Sequence, residues 1–294
     1  EATYTVPYLA HATMEPMNAT AVYKNGVLEV WSGTQDGLGA RAFIAKTANL
    51  PMEKVTFHLL PMGGGFGRRL PGFFNFLEHA VRTAMAMPGT SVKLIYTREQ
   101  DMQHDYYRPN VTSRMRSTLD SASRPISWVS DYTTDNGANG EAHIVYGIDN
   151  QAYRTAKVET HIPVGPWRSG EAAWNGCCVV SVVDECAHAA KKDPLEDRRS
   201  LLTHAPRHLA TLNLAAEKAG WGSTVPSGKG RGIAMFESFG TVVAHVVDVT
   251  VASDGGVKVD RVVPAVGPGI DRKPSGLASH NEGAMAYGLT VAVM

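Results

Sequence analysis

The densest chemistry in this 294-residue chain lies in Pro61–Arg69, Pro-Met-Gly-Gly-Gly-Phe-Gly-Arg-Arg, which follows the apolar run Lys54–Leu60. Consecutive glycines let a backbone adopt dihedrals closed to other residues and approach a ligand with no side chain in the way. Phe66, between Gly65 and Gly67, can then be presented from a tight turn, and Arg68 and Arg69 supply planar, permanently charged donors suited to phosphate. The stretch reads as a cofactor loop. The same residues also suit a glycine-rich turn with a core Phe and two solvated arginines, because short glycine motifs recur without function. A second stretch, Pro163-Val-Gly-Pro-Trp-Arg-Ser-Gly170, has prolines fixing the backbone on both sides of Gly165, so that Trp167 and Arg168 are held in place. Its plainer reading is a structural turn with a surface Arg. His104 and Asp105 are adjacent, and such neighbours form a satisfied turn pair more often than a catalytic dyad. Cys177, Cys178 and Cys186 are odd in number and lack CxxC spacing, which makes them small core hydrophobes rather than a disulfide framework or a zinc site.

The elements that must position these residues follow from periodicity. Two alternating runs within Thr20–Trp31 flank Asn25-Gly26, a strong hairpin pattern. Asp36-Gly37 opens a helix with Ala40, Phe43, Ile44 and Ala48 on one face, and Val55–Leu60 is a strand that delivers the glycine loop. Phe76–Ala86 is helical and stops at Pro88-Gly89, Val92–Tyr96 is a strand, and Thr97–Met102 is a charged turn. Thr112–Leu119 and Ile126–Thr133 are strands, Thr134–Gly140 is a loop, and Thr155–Ile162 is an extended run. Ala172–Ala190 is a long helix with Asp184 and Glu185 outward. A helix then starts at Pro194, and another runs from His208 to Ala219. Ser227–Arg231 is a loop, Val242–Ala252 and Val257–Val266 pair across Asp254-Gly255-Gly256, Pro268–Ser279 is irregular, and Asn281–Met294 begins a small-residue helix. Strands and helices mix without regular β-α alternation, so the class is α+β.

Composition narrows the partners. Lys+Arg and Asp+Glu are 28 each, which gives no argument for nucleic acid or an anionic surface as the main partner. No uninterrupted apolar stretch is long enough for an integral membrane segment. The opening Glu-Ala-Thr-Tyr-Thr-Val-Pro lacks the plan of a signal peptide, so the expectation is a removed leader or a piece of a longer protein, with bacterial cytoplasm and periplasm both open.

Four pieces taken together resemble one family. They are Gly33-Thr34-Gln35 before a helix, Gly63-Gly64-Gly65-Phe66-Gly67-Arg68-Arg69, Gly165-Pro166-Trp167-Arg168-Ser169, and Asp184–Arg199 with its Asp193-Pro194-Leu195. In this order and spacing they are similar to the molybdenum-binding subunit of the xanthine oxidase and aldehyde oxidoreductase family. The isoquinoline 1-oxidoreductase β-subunit branch is resembled through His11–Asn18, the Arg-Arg pair and Gly232–Gly240. The resemblance implies a fold of two molybdenum-cofactor-binding regions, 1–153 and 154–294. It also implies a molybdopterin cytosine dinucleotide cofactor, and water-derived hydroxylation of an aldehyde or N-heterocycle. By that resemblance Gln35 and Arg168 are the catalytic residues, with Gln35 hydrogen-bonding an oxygen on molybdenum; the Phe66-Gly67 backbone lines the same face of the metal, and Gly64, Gly65 and Arg68 also bind the cofactor. Arg168 sits beside substrate and cofactor, and Ser238, Phe239 and Gly240 with a Glu282-Gly283 turn wrap the pterin and dinucleotide. No side chain of this chain is implied as a metal ligand.

The same resemblance puts the catalytic base, a Glu in a Gly-x-Gly-Glu-Pro-type motif, downstream of the stretch matching Asn281–Leu289. The base is therefore expected on another segment or chain. His280 stands where the family commonly has Gln, Gly267-Pro268-Gly269 where it has Asp-Cys-Gly, and Lys273-Pro274 where it has Asn-Pro. Electrons leaving the site imply an iron–sulfur partner subunit carrying [2Fe–2S] clusters, since three clustered cysteines cannot ligate two of them. The alternative is a truncated or degenerate member acting as a non-catalytic binding or assembly module.

Overall fold

The computed structural model describes residues 1–135 and 142–293. Most of the expected Thr134–Gly140 loop, and Met294, lie outside the described residues. The chain forms two compact units. The first comprises Glu1–Ser117, Ser127–His143 and Gln151–Cys178, and the second Thr118–Ile126, Ile144–Asn150 and Val179–Met294. The last crossing between the two units falls inside a helix, at Cys178/Val179.

The first unit begins with β1 (Ala2–Val6), β2 (Asn18–Lys24), β3 (Val27–Ser32), α1 (Gly37–Ala48), β4 (Val55–Leu59), α2 (Asn75–Ala86) and β5 (Ser91–Ile95). It continues through α3 (Arg98–Gln103), β6 (Val111–Leu119), β7 (Pro125–Thr134), β8 (Asn150–Lys157) and the start of α4 (Ala172–Ala189). One sheet has the order β4-β3-β2-β5 and another β1-β6-β7-β8. The β2–β3 hairpin turns at Asn25 (φ 52) and Gly26 (φ 77), the left-handed pair that a two-residue turn requires. β3 and β4 instead run parallel, joined across the sheet by α1.

Asp36 starts α1 by accepting a hydrogen bond from the Gly39 N–H. Ala40, Ile44 and Ala48 of α1, with Phe76, Leu77, Ala80, Val81 and Ala84 of α2, are buried with Met17, Leu28 and Val30 in one apolar core. This core fixes the sheet that carries the glycine loop.

Two boundaries differ from the sequence reading. Thr97–Met102 is not a turn. Thr97 and Gln100 form a reciprocal capping box that starts α3. The expected Thr155–Ile162 strand is β8 at Asn150–Lys157, which is exposed along almost its whole length. Without a buried face, burial leaves no period in the sequence to mark its limits.

The second unit holds the rest of α4, then α5 (Pro194–Leu201), α6 (Pro206–Ala219), β9 (Lys229–Ser238), β10 (Thr241–Val251), β11 (Val257–Gly267) and α7 (Pro274–Val293). Its sheet is antiparallel in the order β11-β10-β9, with Val242, Ala244 and Val246 of β10 buried. The expected Ser227–Arg231 loop is already β9 from Lys229. Of the expected irregular Pro268–Ser279 stretch, residues 268–273 are irregular, and α7 takes over from Pro274, ahead of the expected start at Asn281. Pro274 takes its favoured place at the start of the helix, while Gly276, Gly283 and Gly288 lower the propensity that would have announced it. Asp184 is not simply outward either, because it pairs with Arg198, which has 0% exposure and also donates to the carbonyls of Val180 and Pro194. Among the described residues, no helix is long and apolar enough to cross a membrane.

The cysteines divide by environment: Cys178 is buried, Cys186 intermediate and Cys177 exposed. Burial, with Cys177 adjoining, pushes the Cys178 thiol up to about 12. A mildly alkaline iodoacetamide treatment of the folded chain should therefore alkylate Cys177 and spare Cys178 in peptide mass analysis. For stability, Leu77→Ala in the core should cost about 2–5 kcal/mol in urea unfolding. Leu38→Ala, at a site 80% exposed, should stay within about 0.5 kcal/mol.

Candidate cofactor site

Because β3 and β4 are parallel, both deliver their carboxyl ends to one edge of the sheet. Gly33-Thr34-Gln35 leaves β3 there, and Leu60–Arg69 leaves β4 beside it, with the Leu60 N–H donating to Ser32 O at 3.0 Å. The Gln35 N–H donates to Arg69 O at 3.0 Å, closing one loop on the other. Ligand loops gather at the carboxyl edges of parallel strands for this reason.

Arg69 braces the loop from inside. It is 0% exposed and donates to the carbonyls of Gly64 (2.9 Å), Gly33 (3.0 Å) and Glu15 (3.1 Å), and to the Glu15 carboxylate at 3.0 Å. Burial acts to raise the Glu15 carboxyl. The Gly63 N–H, Asn18 and Arg69 outweigh that and hold it below its usual range.

Gln35 is exposed, and its Oε1 accepts from the N–H groups of Gly67 (3.0 Å) and Arg69 (3.3 Å). Two donors aimed at one end of the amide fix which end is oxygen. The Nε2 donors must then face away from the loop. A Cβ on Gly65 would lie 2.5 Å from Gln35 Oε1, so any larger residue there would push the amide out of this position.

The Pro163–Gly170 turn meets the same loop. Gly67 has φ +112, and a Cβ there would sit 1.9 Å from Pro166 O. The Arg168 guanidinium lies over the Phe66 ring, 5.7 Å from its centroid. Phe66 itself is left-handed at φ 54, a costly conformation for a bulky residue that the surrounding contacts must enforce. The structure therefore brings Gln35, Gly64, Gly65, Phe66, Gly67 and Arg168 together.

Arg68 departs from the expectation of a phosphate donor, and neither arginine is solvated. Arg68 is 1% exposed and turned inward, with Nε 2.9 Å from Asp105 Oδ1 and the other nitrogens donating to Phe73 O and Asn75 Oδ1. Its cation is neutralised inside the protein, so its part is to hold the loop.

Asp105 was visible in the sequence only as the neighbour of His104, which is exposed and forms no dyad with it. The carboxylate instead takes Arg68 and His11. His11 Nδ1 is 3.0 Å from both Asp105 oxygens, and Nε2 is 2.8 Å from Pro166 O. His11 and Asp105 are 94 residues apart, beyond the reach of any local pattern.

The remaining expected residues lie in the second unit. Ser238 ends β9, and Phe239 (φ 48) and Gly240 (φ 77) form the two-residue turn to β10, with Phe239 83% exposed. Glu282 and Gly283 are not in a turn but in the interior of α7. Their backbone N–H groups belong to the helical ladder, which removes them as phosphate donors.

A molybdopterin cofactor-binding domain model matches residues 1–202. The chain belongs to the molybdenum-binding subunits of the xanthine oxidase family. Among members of that family, isoquinoline 1-oxidoreductase subunit beta of Brevundimonas diminuta is 28% identical over 96% of this chain and 39% of its own length. The membrane-bound aldehyde dehydrogenase [pyrroloquinoline-quinone] of Gluconacetobacter polyoxogenes is 30% identical over 98% of this chain and 43% of its own. The chain thus spans about two fifths of these curated relatives. Quinoline 2-oxidoreductase from Pseudomonas putida 86 shares the fold with a TM-score of 0.69, at 18% identity, over 88% of this chain and 40% of that one.

The Gly67 contact is testable. Gly72 also has a left-handed φ (+92) but open space where a Cβ would go. Gly72→Ala should cost only the backbone strain, about 1–2 kcal/mol. Gly67→Ala must also displace the Pro166 carbonyl, and urea unfolding followed by circular dichroism should register a larger loss.

Proposed function

We propose that this chain holds the molybdopterin cofactor of an oxidoreductase that hydroxylates an aldehyde or N-heterocycle with oxygen from water. The observation that carries the reading is the Gln35 amide. Its oxygen is held by two loop N–H groups, so its Nε2 is committed to donating outward from the glycine loop. The residues present fit such a group: a cradle with no side chain at Gly65 or Gly67, one oriented amide donor, and one guanidinium set on an aromatic face.

When bound, the cofactor supplies the two-electron oxidation, and the protein supplies position and charge. Gln35 would hold the group by donating from Nε2, the end of the amide left free of the loop. Gly64, Gly65 and Gly67 let backbone approach it, and Phe66 shapes the wall. Arg168, kept in orientation by the Phe66 ring, stabilises negative charge as it develops on the substrate. The cytosine dinucleotide form is our choice, and Ser238, Phe239 and Gly240, at the β9–β10 turn of the second unit, are retained as proposed binding residues.

The base that takes the proton from water is assigned to a segment or chain outside these residues. Electrons pass to an iron–sulfur subunit, because each [2Fe–2S] cluster needs four ligands and this chain has three cysteines.

Metal analysis of the purified chain tests the reading. Molybdenum and a releasable pterin nucleotide are the expected result. Their absence overturns it, and a bound quinone in their place would point to the electron carrier in the name of the Gluconacetobacter relative. A chain that holds the cofactor but gives no turnover with its partner subunits would favour the non-catalytic module. In an active complex, Arg168→Ala should lower turnover by about 10²–10³-fold. Molybdenum content should fall far less, and equal losses would remove Arg168 from the reaction.

A further inference from the structure

We propose that His11 is a positioning residue held as an imidazolium, clamping the turn that carries Arg168 against the glycine loop. The catalytic consequence rests on the function proposed above; the clamp itself does not.

The protonation state follows from counting donors. Pro166 O is a carbonyl and can only accept, so His11 Nε2, 2.8 Å away, must carry a proton. On the other side, the Asp105 carboxyl faces donors from every direction. The His11 N–H donates to Oδ2 at 2.6 Å, the Tyr106 N–H donates to Oδ1 at 2.7 Å, and Arg68 Nε lies 2.9 Å from Oδ1. A carboxyl surrounded by two backbone N–H groups and a guanidinium is held ionised, and an ionised carboxylate only accepts. His11 Nδ1, 3.0 Å from both of its oxygens, must therefore also carry a proton. A neutral ring has one N–H and cannot make both contacts.

The surroundings permit this charge although the ring is 3% exposed. Asp105 faces it directly, and behind Asp105 stands Arg68. Arg68 Nε is 4.0 Å from Asp101, itself 3.8 Å from Arg98. The Tyr106 ring faces the Arg68 guanidinium, while buried Arg108 packs over Trp167. His11 and Arg68 thus share Asp105, with Asp101 as the second anion of the group.

The consequence lies in what Pro166 touches. Its carbonyl rests on Gly67 and accepts from His11, and Trp167 and Arg168 follow in the chain. The path Arg68–Asp105–His11–Pro166 therefore ties the inner side of the glycine loop to the backbone that sets Arg168 over Phe66. Without the His11 Nε2 proton, Pro166 O would have no donor from this ring and the turn would lose its tie to Asp105.

Histidine-selective ¹⁵N NMR of the chain tests the charge. One buried ring should show two slowly exchanging N–H correlations at neutral pH, and both should vanish in His11→Gln. A single ring N–H on His11 would overturn the proposal. Amide hydrogen exchange tests the clamp: the Gly165 and Tyr107 N–H groups, which donate to Tyr107 O and Pro163 O, report on the turn. In His11→Gln their exchange should quicken by about tenfold or more, the scale of one lost hydrogen bond to a charged group. Asp105→Asn should leave the ring with one N–H correlation. Unchanged protection in His11→Gln would reduce His11 to a packing residue. If neither variant folds, the wild-type ring spectrum decides alone. Should the wild-type chain hold no molybdenum, the cofactor reading fails while these measurements still stand; where it does hold it, His11→Gln should lower kcat more than molybdenum content.

Discussion

The contact between Gly67 and the Pro166 carbonyl is the constraint on which the first unit's site depends. With no room for even a methyl group, two segments a hundred residues apart are held backbone to backbone. That closeness makes a wall of main chain, which has fixed dipoles and no rotamers to reorganise. It also explains why both segments are rich in glycine and proline. Glycine removes the side chain that would separate them, and proline removes the freedom that would let them drift.

Holding main chain this tightly requires polar groups underneath it. Arg68 and Arg69 are both among the largest fully buried side chains, an arrangement tolerated only where each charge is paired. Arg69 donates to three carbonyls and pairs with Glu15, while Arg68 donates to Phe73 O and Asn75 and pairs its charge with Asp105. A lysine in either place would offer no planar fork to reach so many acceptors at once. The arginines act on the loop's inner surface and leave its outer surface to Gln35, Phe66 and Arg168.

Much of this was legible in the residues. Asn25-Gly26, Asp36 as a helix start, Pro194 at a first helical position and the glycine loop after an apolar strand each carry a local rule, and the structure follows them. β8 and α7 were misplaced because one has no buried face and the other has glycines through its length. The parallel pairing of β3 with β4, which puts Gln35 beside the loop, leaves no local trace. The inward turn of Arg68 and the His11–Asp105 pair were illegible for the same reason. Residue type announces that an arginine can bind an anion; only the fold says that the anion is Asp105.

The two units are interleaved along the chain, with crossings after Ser117, Ile126, His143, Asn150 and Cys178. During synthesis, the chain emerges from its amino end and domains fold as their residues become available. The first unit cannot close until Cys178 has been made, although its β4-β3-β2-β5 sheet is complete by Ile95. Residues 118–126 and 144–150, made early, belong to a unit whose bulk comes later. For that interval they have no finished core to join. Folding therefore has a natural order: sheet first, the Pro163–Gly170 turn next, and the second unit last.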